Sequence, residues 1–220
     1  MAERQVLPAL NDASWQYAEG FVGEHPGLAD ARARAAEVGC VPVGTGSGAT
    51  LRFLAAVLDA RAVVEVGTGT GVSAVWLLAG MNPEGVLTSV DVEAEHQRQA
   101  RTTFADCGVP LARTRLITGR ALDVLPRLAD EAYDLVFIDG DKAEYDLLFE
   151  QALRLLRPGG IVAFDNSLWH DKVADPSQRD AATISLREIG LRVREDERVT
   201  EVLLPVSDGL LAAVYRGPID

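Results

Sequence analysis

Asp139, Asp165, Asn166 and Lys142 are the residue types that acid–base and metal chemistry draws on, and their positions relative to apolar runs make them candidates for it. Asp139 directly follows Tyr133-Asp134-Leu135-Val136-Phe137-Ile138, and Asp165-Asn166 follows Ile161-Val162-Ala163-Phe164. Each therefore stands where a strand-like run stops. If the two runs are neighbouring strands of one parallel sheet, all three side chains emerge on one side. Two carboxylates so placed repel unless a positive charge lies between them. A hard divalent cation suits a set of oxygens without Cys or His, which points to Mg2+, with Mn2+ or Ca2+ as variants. Capping of the helices that follow is the plainer reading of the same residues. Lys142 brings an ammonium group to the same corner, either as a general base or as a solvated lysine.

The second candidate is the stretch Val63-Val64-Glu65-Val66-Gly67-Thr68-Gly69-Thr70-Gly71, where a β-branched run breaks into three alternating glycines and then an apolar helix from Val72. Glycine supplies the positive φ and close backbone approach of a tight strand-to-helix turn. The turn aims backbone N–H groups and a positive helix end at its occupant, favouring a carboxylate or phosphate. Glu65 is charged within an apolar strand and suits a ligand carrying positive charge, or else ties down loop amides. Asp91 closes the next strand, Val86-Leu87-Thr88-Ser89-Val90, about 20 residues past the glycines, where doubly wound folds place an acid against ribose hydroxyls; a helix N-cap is the alternative. A dinucleotide fingerprint starting at Gly67 would need glycine at 72, where the chain has Val72, so NAD is disfavoured.

The elements that must position these groups alternate. Helices are expected over residues 13–22, 28–38, 49–58, 72–79, 93–104, 121–128, 144–156 and 181–193. Strands are expected over 63–66, 86–90, 115–118, 133–138 and 161–164, with Arg157-Pro158-Gly159-Gly160 stopping the helix before the last of them. This rhythm predicts an α/β doubly wound sheet, mostly parallel, with helices on both faces. Residues 200–204 and 210–215 are separated by only five residues and should pair as a C-terminal antiparallel hairpin. Thr45 and Ser47, in the turn-rich stretch Val41 to Gly48, read as caps of the third helix or as part of a lid. Tyr133, Tyr145 and Trp169 could line an aromatic pocket or serve as packing. The division read here is an N-terminal helical extension, 1–42, packed on a core of 43–220.

Composition narrows the function. A chain of 220 residues with 48% apolar residues can bury one substantial core. A net charge of −12 disfavours nucleic acid and anionic membrane surfaces and leaves a small molecule as the expected partner. No apolar run reaches membrane-spanning length, and the start Met1-Ala2-Glu3-Arg4-Gln5 lacks a signal-peptide pattern, so a cytoplasmic location is expected. Cys40 and Cys107 are isolated, and of the three histidines only His170 falls near a candidate site.

Taken together, Glu65 to Ser73, Val90-Asp91, Phe137-Ile138-Asp139-Gly140-Asp141-Lys142, Leu156-Arg157-Pro158-Gly159-Gly160 and Asp165-Asn166-Ser167-Leu168-Trp169 resemble the cation-dependent O-methyltransferases. These are the class I S-adenosylmethionine enzymes that include catechol and caffeoyl-CoA O-methyltransferases. The resemblance runs from Val43 to Arg216 and closes on Leu204-Pro205-Val206-Ser207-Asp208-Gly209. It implies a Rossmann-like methyltransferase sheet. It also implies a cofactor site of Glu65, Gly67, Thr68, Gly69, Ser73, Asp91, Ala121 and Asp139, with Glu65, Gly67 and Ser73 on the methionine part and Asp91 on the ribose. Asp139, Asp165 and Asn166 match the metal ligands, Lys142 matches the general base, and Asp139 joins it as catalytic. A homodimer and a catechol-like acceptor with vicinal hydroxyls are implied as well. Gly140 and Ser207 depart from the family pattern, Ser207 standing where many members carry glycine. An NAD-dependent oxidoreductase and a metal-independent methyltransferase are the alternatives.

Overall fold

The computed structural model describes residues 10–218; the polar start Met1 to Gln5 lies outside them. Seven strands form one sheet: β1 (Ala62–Val66), β2 (Val86–Asp91), β3 (Thr114–Thr118), β4 (Tyr133–Ile138), β5 (Leu156–Phe164), β6 (Val199–Leu204) and β7 (Leu210–Tyr215). Their order is β3-β2-β1-β4-β5-β7-β6, parallel through β5 and antiparallel at β7 and β6. The expected sheet and C-terminal hairpin are therefore both present, and β1, β4 and β5 are consecutive neighbours.

Alternation along the strands builds two cores. Val63, Leu87, Leu135, Phe137 and Ala163 pack on one face against α2 (Leu28–Glu37), α3 (Thr45–Val57), α4 (Val72–Gly80) and α5 (Ala94–Asp106). Val64, Val66, Val136, Ile138 and Val162 point the other way, toward α6 (Ala121–Val124), α7 (Tyr145–Leu155) and α8 (Ala181–Glu195). Strands buried on both faces must be apolar at successive positions, which is why these runs read as continuous. The remaining helix, α1 (Asp12–Glu19), buries none of its residues.

Three boundaries differ from expectation by four residues or more. Helix α3 begins at Thr45, with Gly44 as its N-cap and no side-chain cap, so Thr45 to Gly48 form its first turn and not a loop before it. Helix α6 ends at Val124 and a 3-10 turn carries Leu125–Arg127. Pro126 lacks the N–H that would continue the α ladder. Strand β5 starts at Leu156 and takes in Arg157 to Gly160: Leu156 pairs with Tyr133, and the register shifts before Ile161 pairs with Leu135.

The sheet ladder continues one residue past the strand ends. Asp139 N donates to Val66 O (2.8 Å), Asp165 N to Ile138 O (3.1 Å) and Gly67 N to Val90 O (2.8 Å). The segments after β1, β2, β4 and β5 thus leave the sheet at one edge, where open parallel sheets receive ligands.

Candidate functional site

A cavity of about 760 Å3 lies over that edge. One side is the glycine turn. Gly67, Gly69 and Gly71 have φ of 94°, 49° and 84°, conformations that glycine enters without steric cost. A Cβ at Gly67 would collide with the Asp139 carbonyl, so this glycine also permits close approach of the two strand ends. Gly71 caps α4 without a side-chain bond, which leaves the start of that helix presenting its N–H groups.

Asp91 forms part of the cavity wall. Its Oδ2 accepts from Gly69 N (2.9 Å) and lies 3.3 Å from His96 Nδ1, while its Oδ1 accepts from Glu93 N (2.9 Å). Ala121, Thr68 and Ser73 also line the cavity. Glu65 does not: it is fully buried behind the turn, and its carboxylate accepts from Ser73 Oγ (2.6 Å) and Ser89 Oγ (2.5 Å). Burial pushes its pKa up to about 7 against the pull of those two hydroxyls. Ser89 Oγ also lies 2.6 Å from Thr68 Oγ1, to which Gln97 Nε2 donates at 3.1 Å, so a buried polar chain underlies the turn.

At the other end, Lys142 Nζ donates to Asp139 Oδ1 (3.1 Å), Asn166 Oδ1 (2.8 Å) and Tyr145 Oη (2.7 Å). An ammonium thus already stands among these oxygens, as a cation must if the carboxylates are to stay charged. Asp165, 3% exposed, lies beneath; burial and then the Asp139 charge push it up to about 7, opposed by Lys142 and by Ser47, whose Oγ donates to Asp165 Oδ1 at 3.2 Å. Asp139 is raised too, by burial first, with Lys142 pulling it back. The helix-capping alternative is met by another residue: Asp141 Oδ1 accepts from Ala143 N (3.0 Å) and caps the turn that leads into α7. Among the described residues no three His, Cys, Asp or Glu side chains gather as a ligand cluster, so any cation here would rest on two carboxylates and an amide.

The aromatic residues separate. Trp169 lines the cavity, and its ring centroid lies 5.7 Å from Lys142 Nζ. Tyr145 is fully buried under Lys142, and Tyr133 begins β4 at the far edge of the sheet. His170 lines the cavity as expected, but so does His96, whose Nε2 lies 3.4 Å from Val38 O. Cys40 to Val43, the strap between α2 and α3, also walls the cavity; of the stretch Val41 to Gly48 offered as part of a lid, Val41 to Val43 line it. Its only sequence signal is the turn-rich composition that suggested a lid. Arg32 Nη2 ties it down by donating to Val43 O (2.8 Å).

The arrangement offers a helix N-terminus and an acidic acceptor, Asp91, at one end of a single cavity, and a carboxylate–ammonium cluster at the other. The O-methyltransferase family model matches residues 22–215. A Mycobacterium bovis relative that carries the O-methyltransferase name is 47% identical over 210 residues, covering 96% of this chain and 94% of its own. The Streptomyces achromogenes O-methyltransferase TomG, involved in tomaymycin synthesis and solved with SAM, aligns with a TM-score of 0.82 at 28% identity, over 95% of this chain and 100% of that one. A Bacillus cereus O-methyltransferase solved with SAH aligns with a TM-score of 0.81 at 27% identity, over 92% of this chain and 97% of that one.

Proposed function

The chain belongs to the O-methyltransferase family, and we propose that it moves a methyl group from S-adenosylmethionine to one hydroxyl of a small acceptor with vicinal hydroxyls, assisted by a divalent cation. The observation that carries this reading is the Lys142 ammonium held between Asp139 and Asn166 at the end of a cavity that begins at Asp91. In this reading Asp91 accepts hydrogen bonds from the ribose hydroxyls, and Gly67, Thr68, Gly69 and Ala121 shape the floor beside it. Ser73 meets the methionine part, with Glu65 behind it as the countercharge. Asp139, Asp165 and Asn166 are an oxygen set that fits Mg2+ or a similar ion. Such an ion, when bound, supplies Lewis acidity and orientation to a pair of adjacent acceptor oxygens.

Lys142 acts in its neutral amine form, its ammonium having first given up one proton to solvent, and takes the proton of the hydroxyl that attacks. A phenol-like hydroxyl ionises near pKa 10, as tyrosine does, so it needs such help near neutral pH. As the new O–CH3 bond forms, the S–CH3 bond breaks, the sulfonium becomes the neutral thioether of S-adenosylhomocysteine, and the proton remains on Lys142 Nζ. Trp169 and the strap Cys40 to Val43 exclude water from the two reactants, and holding them in line supplies much of the rate.

The N-terminal segment, 1–42, is read as an extension on a core of 43–220. Exposed Tyr17 on α1 and Phe21 just after it, with Phe53 and Val57 on α3, support a homodimer, which sedimentation would test. No helix among the described residues is long and apolar enough to cross a membrane, which supports a cytoplasmic enzyme. Labelled methyl transfer to catechols and to their mono-hydroxy analogues tests the function. Turnover confined to vicinal pairs in Mg2+ is expected, and equal turnover of both classes in a chelator would refute the reading.

A further inference from the structure

Ser207 has φ of 48°, a conformation that glycine adopts without strain and in which a serine side chain is disfavoured. Its hydroxyl and its backbone are both engaged. Ser47 N donates to Ser207 Oγ (2.9 Å), Ser207 Oγ donates to Glu19 Oε2 (3.1 Å), and Ser207 N donates to Glu19 Oε1. Glu19 Oε2 also accepts from Gly46 N (2.9 Å). The last residue of α1 thus supplies, from 27 positions away, the negative charge that the first turn of α3 lacks in its own sequence. Gly44 and Gly46 make room for it: a Cβ at the first would strike Ser207 and one at the second would strike the Glu19 carboxylate.

The same turn carries Ser47, fully buried, whose Oγ donates to Asp165 Oδ1. Among the described residues this is the one side-chain donor to that carboxylate. A donor on Oδ1 fixes the carboxylate's rotation and so aims its other oxygen. Hydrogen bonds of this kind, one layer behind a ligand, set metal affinity because they orient the ligand before the ion arrives.

We infer that Ser47 is a positioning residue for Asp165, held in place by Ser207 and Glu19, so that docking of α1 sets the cation affinity of the site. The inference rests on the cation-assisted reading above. It also gives Ser207 a role that a glycine there could not fill.

The test is Mn2+ binding to the cofactor-free protein, followed by electron paramagnetic resonance, with S-adenosylhomocysteine affinity measured by calorimetry on the same preparations. Ser47→Ala should weaken Mn2+ binding about 10-fold or more, while S-adenosylhomocysteine affinity changes about 2-fold or less. Ser207→Gly, which suits the backbone at that position, should lose Mn2+ affinity in the same direction but by less. Wild-type Mn2+ affinity in Ser47→Ala would overturn the inference, as would an equal loss of both ligands. If Ser47→Ala does not fold, Ser207→Gly decides: unchanged Mn2+ affinity there overturns it. Absence of Mn2+ binding by the wild type would remove the cation-assisted reading itself, and this inference with it.

Discussion

The two ends of the cavity are built by different means. Around Asp91 the wall is mostly backbone: three glycines in left-handed conformations, a helix start without a side-chain cap, and an acid fixed by the amides of Gly69 and Glu93. Around Asp139 it is side chains, and their charges oppose burial: Asp139 and Asp165 are both raised, offset by Lys142 and, at Asp165, also by the hydrogen bond from Ser47. A backbone-built end is complete before its ligand arrives. The charged end sets two carboxylates against one ammonium, and in the proposed reading a divalent cation would offset the rest.

The largest effect should fall on the charged end. Asp139→Ala should lower cation-supported turnover by about 1,000-fold or more and leave S-adenosylhomocysteine binding nearly intact. Full activity of this variant in a chelator would dissolve the distinction between the ends. Asp91→Ala should do the reverse, weakening cofactor binding about 10- to 100-fold through the loss of charge-assisted hydrogen bonds. Calorimetric titration with S-adenosylhomocysteine reads this, and an unchanged affinity would place the ribose elsewhere.

The smallest effect concerns Glu65. Its folded-state pKa, about 7, lies above the ordinary 4.5, so the folded protein holds a proton that the unfolded chain releases. Its contribution to stability is therefore fully present below about pH 4.5 and is lost as pH rises through about 7, a change of about 3 kcal/mol at most. Glu65→Gln should make the fall in stability from acid to neutral pH shallower, as urea unfolding at about pH 5 and about pH 8 would show. Identical pH profiles for variant and wild type would mean that Glu65 is ionised throughout.

The backbone-built end was the more legible in sequence. Alternating glycines after a β-branched run leave few conformations for Gly67 to Gly71, and the strand spacing that placed Asp91, Asp139 and Asp165 at one edge follows from apolar periodicity. The five residues between β6 and β7 dictated their antiparallel pairing. What stayed hidden depends on partners far along the chain. Thr45-Gly46-Ser47-Gly48 reads as a turn because glycine is a poor helix former, yet it opens α3 because Glu19 and Ser207 satisfy it from outside. Ser47 and Asp165 are 118 positions apart, and no local pattern announces their bond. The inward burial of Glu65 is hidden too, since strand alternation does not reveal that Ser73 and Ser89 lie ready to receive its carboxylate.

The most direct measurement takes one wild-type preparation and determines S-adenosylhomocysteine affinity and methyl-transfer rate in Mg2+ and then after chelation. An enzyme with one backbone-built end and one cation-completed end should keep its affinity within about 2-fold while its turnover falls to background. Loss of both together, or of neither, would contradict that division.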